Sequence, residues 1–268
     1  MKHTFSITIL LISLFFLSQV VGLGIISVDS ELEILPSGEV DVVHGDTAIG
    51  ARPDIEGATT TIYMVVALFI GTILLLLLIR YGKMRLWKIW YFLAVWASMT
   101  ISLGVFIHSI LAGILSLLLS LLKVLRPHFI VHNITEVLMY SGIALLFVPI
   151  INVGWMMVIL VIIAAYDAFA VWKSKHMIKM AKFTMESKVF AGLAIPYKNK
   201  VAKKRIPKRE SSHTAILGGG DVAFPLMFSG VVMEDLMSQG VSRGDAYFQV
   251  MAIVILTTAA VSFLMFKG

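Results

Sequence analysis

The chain has no cysteine among its 268 residues, which excludes structural disulfides, thiolate metal sites and cysteine nucleophiles and leaves the redox compartment unreadable. Charge is scarce as well. Only 14% of residues are charged against 59% hydrophobic, a balance that a water-soluble domain of this size cannot hide in one core. No H-E-x-x-H run occurs, so the two ligands and carboxylate base of a helical zinc protease are missing. There is no internal repeat of the kind that marks inverted-repeat transporters.

What fills the chain is a series of long apolar runs. A membrane-spanning helix takes about 20 mostly apolar residues, and eight such runs occur, at 5–24, 61–79, 88–106, 108–124, 131–148, 151–172, 213–233 and 247–266. The sequence therefore predicts an all-α fold, a polytopic transmembrane helical bundle with six spans in 1–172, a basic loop at 173–212 and two spans in 213–268. The net charge of +6 does not point to nucleic acid. Twelve of the 22 Lys and Arg lie between Lys173 and Arg209, and such a segment reads as a cytoplasmic loop.

Orientation follows from the other breaks. Residues 25–60 hold eight acids (Asp29, Glu31, Glu33, Glu39, Asp41, Asp46, Asp54 and Glu56) against Arg52 alone, whereas Arg80, Lys83, Arg85 and Lys88 follow the second span. Lys123 and Arg126 follow the fourth, and Lys267 the eighth. Every even-numbered span thus ends at basic residues, which places 173–212 and both termini in the cytoplasm and the acidic 25–60 loop on the opposite side. Trp87, Trp90 and Tyr91 sit at one inner boundary, where amphipathic rings prefer the headgroup level. Lys2 and the run after it also fit a secretory signal peptide, but the run is long for one and has no A-x-A site, so an uncleaved first span is expected. Lys175 to Phe190, with Met177, Met180, Phe183, Lys179 and Lys182 at partly helical spacing, is expected to be a solvated loop that sets topology; lying on the membrane surface is the alternative. Glu136, Glu234 and Asp235 fall near span ends and read as structural groups within reach of the interface.

Asp167 and Asp221 are the exceptions, since both lie inside otherwise apolar runs. A carboxylate in mid-membrane costs about 2.5 kcal/mol or more, and such groups normally face a cavity or a partner. Asp167 is six residues before Lys173, and Asp221 is eight residues after His213, so on two helices they stand roughly 9 and 12 Å from the same surface. Ala164, Ala168 and Gly218 leave room for close helix approach beside them. Gly218, Gly219 and Gly220 weaken the start of the seventh helix, and Pro225 leaves the carbonyl of residue 221 without its helical donor, so local unwinding that admits water is expected there. Two carboxyls held close share one proton, which provides a general acid and a general base in one site without metal or cofactor.

Tyr166-Asp167 in the sixth span and Gly218-Gly219-Gly220-Asp221 in the seventh, extended to Gly220-Asp221-Val222-Ala223-Phe224-Pro225, resemble the YD and GxGD signatures of the presenilin and signal peptide peptidase family of intramembrane aspartyl proteases, with the archaeal members closest in pattern. The resemblance covers the span layout of essentially the whole chain. It implies that Asp167 and Asp221 are a catalytic dyad whose surroundings Tyr166, Gly218, Gly219, Gly220 and Pro225 shape, and that substrates are transmembrane or signal-peptide-like segments opened locally from helix. Membrane lipid is the other implied partner, and assembly into a homo-oligomer is compatible with the sequence. The family pattern has a ninth span with a Pro-Ala-Leu motif, which is expected beyond Gly268 or from a partner, since no Pro-Ala-Leu occurs here. Two other readings use the same residues: a channel or cation- or proton-coupled transporter working through the buried aspartates, and a non-catalytic scaffold derived from the protease. A rhomboid-like serine protease is disfavoured because Ser141-Gly142 and Ser229-Gly230 lack the preceding glycine and the histidines lie mostly at span ends.

Overall fold

The computed structural model of the chain describes residues 5–267 except 37–39, 53–54, 56, 126–127, 173–179, 181–182, 185, 188 and 199–211. Among them are eight helices of 17 to 25 residues: α1 (Phe5–Asp29), α2 (Gly57–Arg80), α3 (Met84–Gly104), α4 (Ser109–Leu125), α5 (Phe129–Phe147), α6 (Val153–Trp172), α7 (Gly219–Ser238) and α8 (Arg243–Lys267). Six of the eight are long and apolar enough to cross a membrane. Of the other two, α4 is a shorter apolar helix of 17 residues, and α7 carries Asp221, Glu234 and Asp235. The chain is a multi-pass helical bundle, as the periodic apolar runs led one to expect. Lipid offers no partner for a main-chain N–H or C=O, so each span must satisfy its own backbone, and helix is how a single segment does that.

Glycines set where two of the helices stop and how closely others pack. Gly82 (φ +62°) ends α2 and Gly240 (φ +86°) ends α7 in the left-handed conformation that glycine adopts without strain. Each closes with paired bonds, Lys83 N–H to Leu78 O with Gly82 N–H to Ile79 O, and Val241 N–H to Leu236 O with Gly240 N–H to Met237 O. In the interior, a methyl group at Gly142 would lie 1.8 Å from the Ser98 carbonyl oxygen, so α5 and α3 touch backbone to backbone. The centre of the bundle is α1, α5 and α7, where Leu11, Phe15, Leu145, Leu226 and Met227 are buried. By contrast α2 packs mainly on α6 and α3 and is exposed along most of its length.

The seventh span departs from the expected 213–233. Residues 212–218 form a strand, β4 (Ser212–Gly218), paired antiparallel with β3 (Gly192–Lys198) from Gly192↔Gly218 to Lys198↔Ser212, and the helix starts only at Gly219. The reason is that alternate residues Ala215 and Leu217 are buried while Thr214 is exposed, a two-residue period that suits a strand, and β3 supplies the cross-strand partner that a buried extended backbone requires. The segment expected to be loop between 173 and 212 thus contributes a strand. Most of its basic residues, including Lys175, Lys179 and Lys182, lie outside the described residues, as does Met177, so the stretch expected to be a solvated loop is described only in part; Phe183, which is described, is buried against Trp87. A second hairpin, β1 (Glu31–Ile34) with β2 (Val40–Val43), lies in the acidic 25–60 segment.

At that end of the bundle a polar cluster ties five segments together. His44 places Nδ1 3.2 Å from Asp29 and Nε2 3.3 Å from Glu234. Arg52 bonds Asp29 at 2.6 Å and also the Leu145 carbonyl, Ser30 donates to Glu234, and Arg243 to the Ser30 carbonyl. Burial alone would lower the affinity of His44 for its proton, but the carboxylates of Asp29 and Glu234 on its two ring nitrogens outweigh this and push its pKa up to about 9.

Candidate active site

Asp221 owes its position to the change from strand to helix. Gly218 is the last residue of β4 and, with φ −59° and ψ 145°, the N-cap of α7, which puts Asp221 in the first helical turn. Its carboxylate reaches back to the Gly218 main chain, the side-chain half of a capping box, and it sits where the helix dipole favours negative charge. The expectation that Gly218 lies inside a span running from 213 to 233 is therefore corrected: Gly218 precedes the helix. Nor does α7 unwind at Pro225, because the helix runs unbroken from Gly219 to Ser238. With Pro225 only six residues after the helix start, the proline removes one bond near a terminus and leaves the rest of the ladder intact. From the other side the fully buried Gln19 of α1 donates to the Val222 carbonyl at 2.9 Å, and Gly22 of α1 lies against Leu226. A strand and a neighbouring helix thus hold Gly218 ahead of Asp221 and Val222 after it.

Asp167 lies five residues before the end of α6. Its neighbour Tyr166 turns toward α2, where its hydroxyl donates to Thr72 Oγ1 at 3.0 Å and its ring meets Phe69 edge-on at 5.6 Å. Asp167 and Asp221 are both exposed, and both border one open cavity of about 620 Å³ between α2, α6, α7 and α8. They are close enough for the charge of Asp167 to act on Asp221. Of the other residues singled out from sequence, Tyr166, Gly218, Gly219, Gly220, Pro225 and Ala164 also border this cavity.

Gly219 and Gly220 separate it from a second, almost wholly apolar cavity of about 580 Å³ between α2, α3, α5, α6 and α7, bordered by Met64, Val95, Ile163 and Met227 with the rings of Tyr91 and Tyr140. Leu68, Ile163 and Phe224 border both spaces. The absence of side chains at 219 and 220 is what lets the two approach each other across the helix start. At Gly219 a methyl group would come within 2.6 Å of the Tyr140 hydroxyl.

Sequence reasoning missed several groups here. Thr72 and Met180 border the aspartate cavity; Thr72 is one hydroxyl in an apolar run, and Met180 reads in sequence as part of the basic loop and not as part of the site. Glu136, read as an interfacial group, is instead 0% exposed and surrounded by protein donors. Among the described residues no group of three His, Cys, Asp or Glu could hold a metal ion.

Comparison with known proteins agrees with this arrangement at the level of family. The model of one protein family, described as signal-peptide peptidase, presenilin aspartyl protease, matches residues 42–268, most of the chain. A search of curated proteins finds no match.

Proposed function

The chain belongs to the signal-peptide peptidase and presenilin aspartyl protease family, and from that premise we propose that Asp167 and Asp221 are the catalytic pair of an endopeptidase that cuts transmembrane segments within the membrane. The observation that carries this reading is that two carboxyls from separate helices, otherwise costly in a bundle of this polarity, border one cavity. One proton shared by the pair leaves one carboxylate as base and one carboxylic acid as donor. The base takes a proton from a water molecule as its oxygen attacks the scissile carbonyl carbon, and the acid protonates the carbonyl oxygen. Collapse of the resulting tetrahedral diol breaks the C–N bond as the nitrogen is protonated, releasing an amine and a carboxylic acid and returning the shared proton to the pair.

A peptide bond inside a substrate helix is covered by its own i to i−4 hydrogen bonds, so it must be opened before it fits between the carboxyls. The adjoining apolar cavity offers the space in which side chains from a membrane segment can be received while the chain extends. On the positive-inside argument, the end of the bundle carrying β3 and β4 faces the cytoplasm.

The test is cleavage of a transmembrane peptide by the purified protein in lipid. Asp167→Ala and Asp221→Ala should each reduce kcat/KM to background, and full activity in either removes the dyad. Ion flux through liposomes that depends on the same aspartates, without cleavage, would favour the channel or transporter reading instead.

A further inference from the structure

Beside the aspartate cavity, on the far side of the glycine run, lies a buried ionic network to which the reaction above assigns no part. Its centre is Glu136 of α5, fully enclosed. Oε1 receives Lys123 Nζ from α4, and the Tyr91 hydroxyl of α3, 3.0 Å away, is shared between Oε1 and the Phe190 carbonyl. Oε2 receives the Tyr140 hydroxyl and, at 2.8 Å, the main-chain N–H of Gly192. Four segments therefore converge on one carboxylate.

Both bonds of Oε2 lead to the start of α7. Gly192 is the first residue of β3, and its partner across the hairpin is Gly218, the N-cap of α7 whose main chain meets the Asp221 carboxylate. Its φ of +152° and the 2.4 Å that would separate a methyl group from the Leu217 carbonyl leave glycine as the residue that fits there. The neighbouring contacts fix the same strand: His132 Nε2 lies 2.8 Å from the Gly192 carbonyl, and Asn133 exchanges two bonds with Ala194, at 2.8 and 2.9 Å. The second route is through Tyr140, whose hydroxyl and ring press on Gly219 while Glu136 holds that hydroxyl. So the residue before the helix and the first residue in it are each located by a group bonded to Glu136.

A buried carboxylate paired with lysine is weak evidence for stability, because an apolar pair of similar volume is often as stable; what this one adds is hydrogen-bond acceptance at a fixed point. We propose that Glu136 is a positioning residue for Asp221: by accepting from Gly192 and Tyr140 it sets the register of β3 against β4 and the seat of Gly219, and through them where the Asp221 carboxylate stands in the cavity. This rests on the proteolytic reading for its kinetic consequence but not for its structural one.

Two double variants separate acceptance from charge. In Glu136→Gln with Lys123→Met the amide oxygen can take the place of Oε2 and no buried ammonium is left unpaired; in Glu136→Leu with Lys123→Met neither charge nor acceptor remains. Cleavage of a transmembrane peptide should keep most of its kcat in the glutamine variant. In the leucine variant kcat should fall about tenfold or more, about 1.4 kcal/mol at the transition state, with KM unchanged. Amide hydrogen exchange should be faster across 192–198 and 212–221 in the leucine variant alone. Wild-type kcat in a folded leucine variant, an equal loss in both variants, or unchanged exchange in the leucine variant overturns the proposal.

If the leucine variant does not fold, Tyr140→Phe takes its place. It removes only the hydroxyl that links Glu136 to Gly219, and its kcat should fall with KM unchanged, whereas wild-type kcat there refutes the positioning role. Should the wild-type protein cut no peptide at all, the protease reading fails while exchange still decides this one: protection lost with leucine and kept with glutamine supports the positioning, and protection kept in both removes it.

Discussion

His44 should make the stability of the bundle fall as the pH rises from neutral to mildly alkaline. Its side chain is 8% exposed and lies between Asp29 and Glu234, and its pKa of about 9 stands well above the ordinary value of 6.5. The folded state therefore holds the proton more tightly than the unfolded one. That contribution is fully present below about pH 6.5 and is lost as the pH climbs through 9. A difference of this size, at 1.36 kcal/mol per unit, corresponds to about 3 kcal/mol. Because the groups are largely out of water, salt should screen little of it. The assay is thermal unfolding in one detergent at pH 6 and pH 9.5, comparing the chain with His44→Gln, which keeps hydrogen-bonding capacity but cannot titrate. Other ionisable groups act in both proteins, so the difference between the two pH profiles isolates the histidine. The wild-type midpoint should drop by roughly 6 to 12 °C more than that of the variant, taking about 2–4 °C per kcal/mol for a chain of this size. Parallel profiles would refute the argument, because they would mean that His44 is not held protonated between the two acids.

Gly142→Ala should destabilise by about 3 kcal/mol or more, since its methyl group meets a backbone oxygen at 1.8 Å and α3 and α5 must separate; Gly71→Ala, with nothing within 4 Å, should be neutral or stabilising by up to about 1 kcal/mol, and equal melting shifts in the two would contradict the packing described. Gly219→Ala should cut kcat for a transmembrane peptide with a smaller change in melting, because the methyl group displaces Tyr140 from a site 2.6 Å away directly beside the dyad; unaltered kcat would separate that contact from the chemistry. Asp221→Asn and Asp221→Ala should both abolish cleavage, but Asn can still accept at the helix start and should melt higher than Ala by an amount equivalent to about 0.5–1.5 kcal/mol.

The aspartates stood out because a carboxylate inside an apolar run contradicts its surroundings, and the first, second, third, fifth, sixth and eighth spans were legible because lipid imposes a length on them that the sequence cannot conceal. The strand at 212–218 was not, for a local reason and a distant one. Thr214, Ala215, Ile216 and Leu217 satisfy the apolar criterion for a span as readily as that for a strand, and the pairing partner, Gly192–Lys198, lies on the other side of a basic run. Glu136 escaped for a related reason: Lys123, which pairs with its charge, is on the preceding helix and Gly192 is 56 residues further on, and the nearby Tyr140 offers a hydroxyl without saying that the carboxylate is buried. Yet the glycines did contain the missing information. A run of three glycines makes a poor helix interior but a good helix start, because only there can the preceding chain be non-helical without losing bonds already made. An extended segment leading into a bundle needs a hydrogen-bonding partner from elsewhere in the protein. Read as a boundary, Gly218 to Gly220 would have implied that Asp221 stands at a helix N-terminus and that some other stretch pairs with the residues before it. The same inference explains why the acid is where it is: the strand brings the chain to the cavity, the glycines let two cavities and a tyrosine ring close around the turn, and the exposed N–H groups of the first turn favour the charge that the proposed reaction requires.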